Sequence, residues 1–370
     1  MLKVLITTVP FGAKNERPLE LLKGAGIEYL INPLNRKLTQ DELSEMVSDF
    51  DVMIAGTEQI TRKVMDQAEN LRMISRVGIG LDSVDLLAAE ERGITVSYTP
   101  DAPAAAVSEL TVGMMLTLLR SVHVSNSQMH TGQWHRYFGR RLAEVTIGII
   151  GVGRVGTGVL QHLQGFGSPR ILVNDILPKP EIEHEFDVEW VNKEMLYKEA
   201  DIVSIHAPLT NLTRNMLRKE DLLSMKGDAI LINTARGGII NEDDLYDVMQ
   251  SGHLSGVAID VFEQEPYDGQ LCEIDRCLLT AHMGSMSVDC RTRMEIEATE
   301  EAVRFLKGQP LEGVVDLVLV LLLPGGHAHR RILHTLQPLR ALVDHIRRAA
   351  PLGRHGRNGS LTSATRQCTV

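Results

Sequence analysis

Short apolar runs alternate with amphipathic stretches along the first 100 residues. The pattern predicts strands at Leu2–Thr8, Asp51–Ala55, Leu71–Ser75 and Ile94–Ser97, and a helix at Arg17–Gly24. Strands that alternate with helices are typical of a parallel sheet with helices on both faces. The first part of the chain is therefore predicted to be an α/β domain.

A second alternating series follows a long apolar stretch, Val107–Leu119, which predicts a buried helix. Six short apolar runs come next, separated by helical patterns or turns: Ile147–Ile150, Ile171–Asp175, Ile202–His206, Ala229–Asn233, Gly256–Asp260 and Leu278–Thr280. Six parallel strands are what a dinucleotide-binding sheet needs. We therefore expect an α/β protein of two domains, each with a parallel sheet, the second of the Rossmann type.

Composition agrees with this expectation and excludes several classes of protein. A chain of 370 residues is long enough for two domains, and 44% apolar residues suffice for two buried cores. The formal net charge of −10 disfavours a nucleic-acid partner. The four cysteines include no C-x-x-C pair, so neither a disulfide framework nor a metal site is expected.

The N-terminal sequence predicts a buried first strand, because it lacks the charged, apolar and cleavage regions of a signal peptide. No apolar stretch approaches the roughly 20 residues that span a bilayer. The expected location is the cytoplasm, with no membrane partner.

Residues 317–370 differ in composition from the rest of the chain. They contain eight Arg, no Lys and one acidic residue, Asp344, so they carry +7 while the remainder carries −17. Such a break predicts a basic C-terminal tail without a catalytic role. An interaction tail and an unnatural read-through segment both remain open as its origin.

A glycine-rich turn follows the first strand of the second series. Gly151, Gly153 and Gly156 fill the pattern G-x-G-x-x-G between Ile147–Ile150 and a helical stretch, Val159–Phe166. The first glycine permits a tight turn, the second lets a pyrophosphate approach the backbone, and the third lets the helix pack on the strand. The phosphates would then lie at a helix N-terminus.

Asp175 is the last residue of the next apolar run, and its carboxylate indicates which cofactor binds. A carboxylate at this position accepts hydrogen bonds from a ribose 2′-hydroxyl and repels a 2′-phosphate. The cofactor is therefore predicted to be NAD rather than NADP.

Three chemically active side chains follow three later strands: Arg236, Glu265 and His282. The carboxyl ends of parallel strands meet at the ligand crevice. Reduction of a 2-keto acid needs a clamp for the carboxylate, a proton donor near C2 and a carboxylate that keeps that donor protonated. Arg236, His282 and Glu265 suit these roles in that order, although each alone would more often be an ordinary loop residue.

Residues 1 to about 315 resemble the D-isomer-specific 2-hydroxyacid dehydrogenase family, including its 3-phosphoglycerate dehydrogenase branch. The resemblance rests on the glycine pattern and on five further segments: Arg76–Asp85, His206–Thr210, Asn233–Gly238, Asp260–Pro266 and His282–Ser285. It implies an NAD-dependent oxidoreductase that transfers a hydride between nicotinamide and C2 of a small D-2-hydroxy or 2-keto acid.

The resemblance also implies domain boundaries and further site residues. A flavodoxin-like substrate domain would combine residues 1–99 with 287–316, and residues 100–286 would form the NAD-binding domain, through which such proteins usually form homodimers. The implied NAD contacts are Gly151, Gly153, Arg154, Val155, Gly156, Asp175, Thr234, Ala235, Arg236 and Asp260, with His206 lining the adenine pocket. The implied substrate contacts are Arg76, Val77, Gly78 and Arg236.

Some positions depart from the family pattern. Pro103 stands where an Asn is common, and Ala281 replaces the usual Pro before His282. Ala55 stands where the phosphoglycerate branch has an Arg, whereas Arg76 and Arg136 match basic positions of that branch. These departures weaken the hypothesis of a phosphorylated substrate, which stays open as an alternative.

Two neighbouring activities are disfavoured: Ile79 replaces the lysine of phosphite dehydrogenases, and Glu265 the glutamine of formate dehydrogenases. The alternative function is an NAD-sensing regulatory or corepressor-like protein on the same fold, since fold alone does not settle function.

Overall fold

The structure is a computed structural model that describes residues 2–177 and 179–315. The N-terminal part forms a five-stranded parallel sheet in the order β2-β1-β3-β4-β5. Its strands are β1 Lys3–Ile6, β2 Glu28–Ile31, β3 Val52–Ala55, β4 Met73–Arg76 and β5 Thr95–Ser97. The helices between them are α1 Arg17–Gly24, α2 Gln40–Met46, α3 Arg62–Gln67 and α4 Leu86–Glu91. This strand order is that of flavodoxin-like folds.

The second sheet has seven parallel strands in the order β12-β11-β10-β9-β6-β7-β8. They are β6 Thr146–Ile150, β7 Arg170–Asn174, β8 Glu189–Trp190, β9 Ile202–Ile205, β10 Ile230–Asn233, β11 Gly256–Ile259 and β12 Cys277–Leu279. Counted from β6, the order is 3-2-1-4-5-6-7, which is the Rossmann order with one strand added. The predicted α/β fold with two parallel sheets is thereby confirmed.

Seven α-helices accompany this sheet in the described part of the chain. They are α5 Ala104–Leu119, α6 Val122–His130, α7 Arg154–Leu163, α8 Pro180–Glu185, α9 Lys193–Glu199, α10 Lys219–Ser224 and α11 Glu242–Ser251. Short 3₁₀ turns occur at Leu142–Glu144, Gln164–Phe166 and Gln270–Glu273. α5 packs closely on α7: a Cβ added at Gly158 would lie 2.7 Å from Ser108 Oγ.

The last helix returns the chain to the first sheet. α12, Val288–Leu306, places Met294 and Ala298 in the core formed by β1 and β3. Ser75 Oγ donates to Ala298 O at 2.8 Å, and Val315 N donates to Val96 O at 2.9 Å. These contacts lead us to propose a first domain of residues 1–99 plus 287–316 and a second of 100–286. The predicted tail, 317–370, lies outside the described residues.

The predicted and observed elements differ at strands β2 and β8 and at the starts of helices α5 and α7. No strand is predicted at β2, Glu28–Ile31, whose residues are exposed or half-buried. The second sheet has seven strands rather than six, because the two-residue β8 is too short to give an apolar run. Helix α7 begins at Arg154 rather than Val159, since two glycines in its first half weaken the helical pattern. Helix α5 begins at Ala104 rather than Val107, directly after Pro103.

Within the described ranges, no single helix is long and apolar enough to cross a membrane. Helices α5 and α6 meet the length and composition test only when taken together, across a bend of 64°.

Candidate active site

The glycine-rich turn has the geometry that a bound diphosphate requires. Gly151 has φ +95°, and a Cβ there would lie 2.7 Å from His206 O. A Cβ on Gly156 would lie 2.0 Å from Gly151 O, so only glycine lets α7 begin so close to β6. Gly153, the N-cap of α7, has no atom within 4 Å of the position of a Cβ, which leaves its backbone open to a ligand.

Asp175 follows β7 and lies against the same turn. Its Oδ2 accepts from Val152 N at 2.9 Å, and its Oδ1 accepts from Leu177 N at 3.2 Å. Lys179 Nζ donates to Val152 O at 2.7 Å. The carboxylate is therefore held by backbone donors at the carboxyl end of β7, beside the N-terminus of α7.

His282 and Glu265 are joined as the sequence predicts. The Nδ1 atom of His282 lies 2.9 Å from Glu265 Oε2 and 3.0 Å from Oε1, and Oε1 also accepts from Phe262 N at 3.1 Å. Burial raises the pKa of Glu265, but the hydrogen bond and charge of His282 outweigh it, so the pKa lies below its ordinary value. The Nε2 atom of His282 makes no hydrogen bond with the described residues, and the side chain is 34% exposed. This nitrogen is therefore available to a substrate.

Asp260 fixes the loop that carries His282. Its carboxylate, which is buried, accepts from Thr280 Oγ1, from Met283 N and from Gly284 N, the last two at 2.9 Å. Its backbone oxygen accepts from His282 N at 2.8 Å. These bonds hold His282 at φ +49°, a left-handed conformation that non-glycine residues adopt seldom. Asp260, predicted as a cofactor contact, thus uses its side chain within the protein.

Arg236 follows β10 and reaches the first domain. Its Nε donates to Asp82 Oδ1 at 2.9 Å, and its Nη1 donates to Ala235 O at 2.7 Å. Its Nη2 lies where a Cβ on Gly80 would be, so the loop of residues 78–82 approaches the guanidinium closely. Burial raises the pKa of Asp82, but the charge of Arg236 outweighs it, and the net pKa is lowered.

The other predicted cofactor residues lie around the same edge of the second sheet. Thr234 is buried, with its Oγ1 2.8 Å from Thr111 Oγ1 on α5, and Ala235 N donates to Asn233 Oδ1 at 3.0 Å. Arg154 and Val155 are the first two residues of α7. Arg154 forms an ion pair with Asp101 in which both side chains are about half exposed.

His206 follows β9, and its backbone lies against the glycine-rich turn. Its Nε2 lies 2.9 Å from Ser204 Oγ, and its Nδ1 is buried without a partner among the described residues. Burial lowers the pKa of His206 to about 3. A neutral ring with one free nitrogen suits the wall of a cofactor pocket and does not suit proton exchange.

The predicted substrate residues lie at the carboxyl end of β4. Arg76 is buried, and its Nε and Nη2 donate to Gly80 O at 3.2 and 3.0 Å. Val77 N donates to Ala55 O, and Gly78 N to Thr99 Oγ1, both at 2.9 Å. Both predicted backbone donors are thus satisfied within the protein.

Two residues at the site have no role in the sequence prediction. Asp82 pairs with Arg236, and Asn233 Nδ2 donates to Arg236 O at 2.9 Å, which shapes the loop after β10. An Asn directly before a turn is a signal that could have indicated the second. No local pattern indicates the first, because its partner lies 154 positions away.

Comparison with known proteins identifies the family of the chain. The model of the D-isomer specific 2-hydroxyacid dehydrogenase NAD binding domain matches residues 112–284. A D-3-phosphoglycerate dehydrogenase from Methanocaldococcus jannaschii is 35% identical over 86% of this chain and 60% of its own length. A hydroxypyruvate reductase from Thermotoga maritima is 34% identical over 73% of this chain and 89% of its own length. The chain spans less than two thirds of the first relative and most of the second.

A solved structure of another family member has the same fold. The NAD-dependent formate dehydrogenase from Staphylococcus aureus, determined in complex with NAD, superimposes with a TM-score of 0.75 and 28% identity, covering 85% of this chain and 99% of that one. The chain belongs to the D-isomer-specific 2-hydroxyacid dehydrogenase family. The predicted resemblance is thereby confirmed, and the second domain is an NAD-binding domain.

Proposed function

We propose that this protein is an NAD-dependent dehydrogenase that interconverts a small D-2-hydroxy acid and the corresponding 2-keto acid. The contact between His282 Nδ1 and both oxygens of Glu265 carries this proposal, because it leaves Nε2 available for proton exchange. Two relatives, of which this chain spans 60% and 89%, are named as enzymes of this kind: a D-3-phosphoglycerate dehydrogenase and a hydroxypyruvate reductase.

The residues of the glycine-rich turn fit NAD. Gly153 and the first turn of α7 offer free backbone donors to the pyrophosphate, and Asp175 offers a carboxylate to the adenosine ribose. The unpartnered Nδ1 of His206 offers an acceptor or donor on the opposite wall. When bound, NAD supplies or accepts the hydride at C2 of the substrate.

The catalytic residues divide the remaining chemistry. Arg236 binds the substrate carboxylate and polarises the C2 carbonyl, which requires it to share or exchange its bond with Asp82. His282 donates a proton to the C2 oxygen during reduction and removes it during oxidation. Glu265 holds the ring and stabilises its protonated form.

Arg76 and the loop of residues 77–80 line the substrate side in this proposal. Because Val77 N and Gly78 N are already bonded, a substrate carboxylate would take the N–H groups of Ile79 and Gly80, which donate to no described residue, or displace the internal bonds. Gly80 lies beside Arg236, so one carboxylate could contact the backbone and the guanidinium together.

The chain is further proposed to form a homodimer through its second domain. Every residue from 131 to 141 is exposed, and Trp134 and Phe138 are 80% and 106% exposed. Val122 and Met129 on α6 are each about half exposed as well. Large apolar side chains left exposed in one stretch of the sequence support an interface between proteins. A cytoplasmic location stays a prediction of the sequence.

Turnover on a panel of 2-keto acids tests the proposed activity. The purified protein should oxidise NADH in the presence of glyoxylate, pyruvate, hydroxypyruvate, 3-phosphohydroxypyruvate or a branched keto acid. Except for achiral glycolate, formed from glyoxylate, the product should be the D-isomer. An NAD-sensing regulatory protein, the alternative on this fold, would bind NADH and leave every keto acid unchanged; that outcome would overturn the proposal.

A further inference from the structure

The three arginines at the carboxyl edge of the first sheet each have an acidic neighbour. Arg236 Nε lies 2.9 Å from Asp82, and Arg291 Nε on α12 lies 2.6 Å from Glu295. Arg291 also donates to Thr8 Oγ1 at the end of β1. The third arginine, Arg76, has the charge of Glu58 acting on it. Paired guanidinium groups leave little net positive charge at this edge.

Glu58 is the acidic neighbour of Arg76, and the sequence prediction assigns it no role. It follows β3 and is 2% exposed. Its Oε1 accepts from Thr7 Oγ1 and from Gly56 N, whereas its Oε2 receives no hydrogen bond from the described residues. An anionic oxygen in such a position retains its capacity to accept a bond.

Arg76, in turn, has one hydrogen-bond donor without an acceptor. Its Nη1 is buried and has no partner among the described residues, while Nε and Nη2 are occupied by Gly80 O. Burial lowers the pKa of Arg76, and the charge of Glu58 acts in the opposite direction. The two side chains follow neighbouring strands, β3 and β4, so a carboxylate oxygen that receives no hydrogen bond and a buried, unpartnered guanidinium nitrogen lie at adjacent strand ends. A buried donor without an acceptor is costly, which suggests that a ligand completes the hydrogen bonding of Arg76.

We propose that Glu58 is a specificity-determining residue which, with Arg76, selects a short 2-keto acid carrying a hydroxyl group rather than a phosphate at C3. This inference rests on the proposed dehydrogenase function. A hydroxyl donates to Glu58 Oε2 and accepts from Arg76 Nη1, so it satisfies both groups. A phosphate dianion has no proton for Glu58 and is repelled by its charge, and a methyl group satisfies neither residue.

A further cation, Lys37, follows β2 and forms no ion pair with the described residues. β2 lies three strand positions from β4, and the charge of Lys37 contributes to the lowered pKa of Glu265. Lys37 is exposed, whereas the charges that act on Arg76 are those of Glu58, Asp82 and Arg236. It therefore does not replace the charge that Glu58 removes at the end of β4.

The test compares three substrates that share a carbon skeleton: pyruvate, hydroxypyruvate and 3-phosphohydroxypyruvate, which carry a hydrogen, a hydroxyl and a phosphate at C3. For the wild-type protein, kcat/KM for hydroxypyruvate should exceed the other two by about tenfold or more, the value of a hydrogen bond to a charged group. This ranking requires no variant, so it tests the inference even if substitutions impair folding.

The variant Glu58→Gln removes the negative charge of the side chain and keeps its shape. The ratio of kcat/KM for 3-phosphohydroxypyruvate to that for hydroxypyruvate should rise at least about tenfold, while the matched exposed control Glu45→Gln on α2 keeps the wild-type ratio. A wild-type preference for the phosphorylated substrate, or an unchanged ratio in Glu58→Gln, would overturn the inference and leave the dehydrogenase function standing. No turnover of any 2-keto acid would instead contradict the proposed function itself.

Discussion

His282 and Glu265 divide one task between two side chains. In the proposed mechanism the imidazole exchanges the proton through Nε2, while the two carboxylate oxygens hold Nδ1. Burial raises the pKa of Glu265, but the hydrogen bond and charge of His282 outweigh it, so the pKa lies below its ordinary value. The pairing therefore favours a charged carboxylate at Nδ1.

Glu265→Gln tests this pairing through the rate of reduction. The amide keeps the shape but offers Nδ1 of His282 one uncharged oxygen in place of the two carboxylate oxygens. Because the ring would then be oriented less firmly, kcat for keto-acid reduction should fall at least about tenfold. The measurement is kcat at saturating NADH, together with the Kd for NADH, which should stay at the wild-type value. A wild-type kcat in the variant would leave Glu265 without a role in the reaction.

At the scale of elements, every chemical group follows the end of a strand. Arg236, Glu265 and His282 come from the loops after β10, β11 and β12, which are neighbours in the sheet. The glycine-rich turn and Asp175 follow β6 and β7 at the same edge. A parallel sheet therefore brings together residues that lie more than 130 positions apart in the sequence.

Gly153→Ala tests the role of the glycine-rich turn. Gly153 has φ −78°, and an added Cβ meets no atom within 4 Å, so the thermal unfolding temperature should stay close to that of the wild type. The Cβ would occupy the approach of the pyrophosphate, and the Kd for NADH should rise at least about tenfold.

Gly24→Ala is the matched control, because that glycine also has open space around its Cβ position but lies on α1 in the first domain. It should leave NADH binding unchanged and should stabilise the protein by roughly 0.5–1 kcal/mol if the helical position is typical. Equal NADH affinity in both variants would remove Gly153 from the cofactor site.

The sequence predicts these elements well and their long-range contacts poorly. Apolar runs bounded by turns indicate ten of the twelve described strands within about two residues, since buried parallel strands need continuous apolar sequence. The two strands that the sequence does not indicate are both edge strands: β2, whose residues are exposed or half-buried, and the two-residue β8. The ion pair between Arg236 and Asp82 and the contact of Glu58 with Thr7 depend on tertiary packing, and no local pattern encodes them.

On the scale of the whole molecule, the exposed aromatic residues of 131–141 predict self-association. Replacing Trp134 and Phe138 together by Ser removes apolar surface that would be buried in a dimer, so the equilibrium should shift toward the monomer. Light scattering after size exclusion should give twice the chain mass of 41.0 kDa for the wild type and a lower mass for the double variant.

Leu212→Ser serves as the control for that experiment, since Leu212 is also exposed, at 57%, but follows β9 in a different loop. It should leave the mass unchanged. A wild-type protein that is monomeric at all concentrations, or a double variant that remains dimeric, would assign the exposed segment another role.

We propose that the whole protein reduces a 2-keto acid with His282 as the proton donor. This role is tested most directly by the rate of NADH oxidation with the best keto acid, for the wild type and for His282→Ala, alongside the Kd for NADH. We expect kcat to be about 10²–10⁴-fold lower in the variant with NADH affinity retained, because the histidine transfers a proton and does not hold the cofactor. Turnover of the variant at the wild-type rate would show that His282 is not the proton donor.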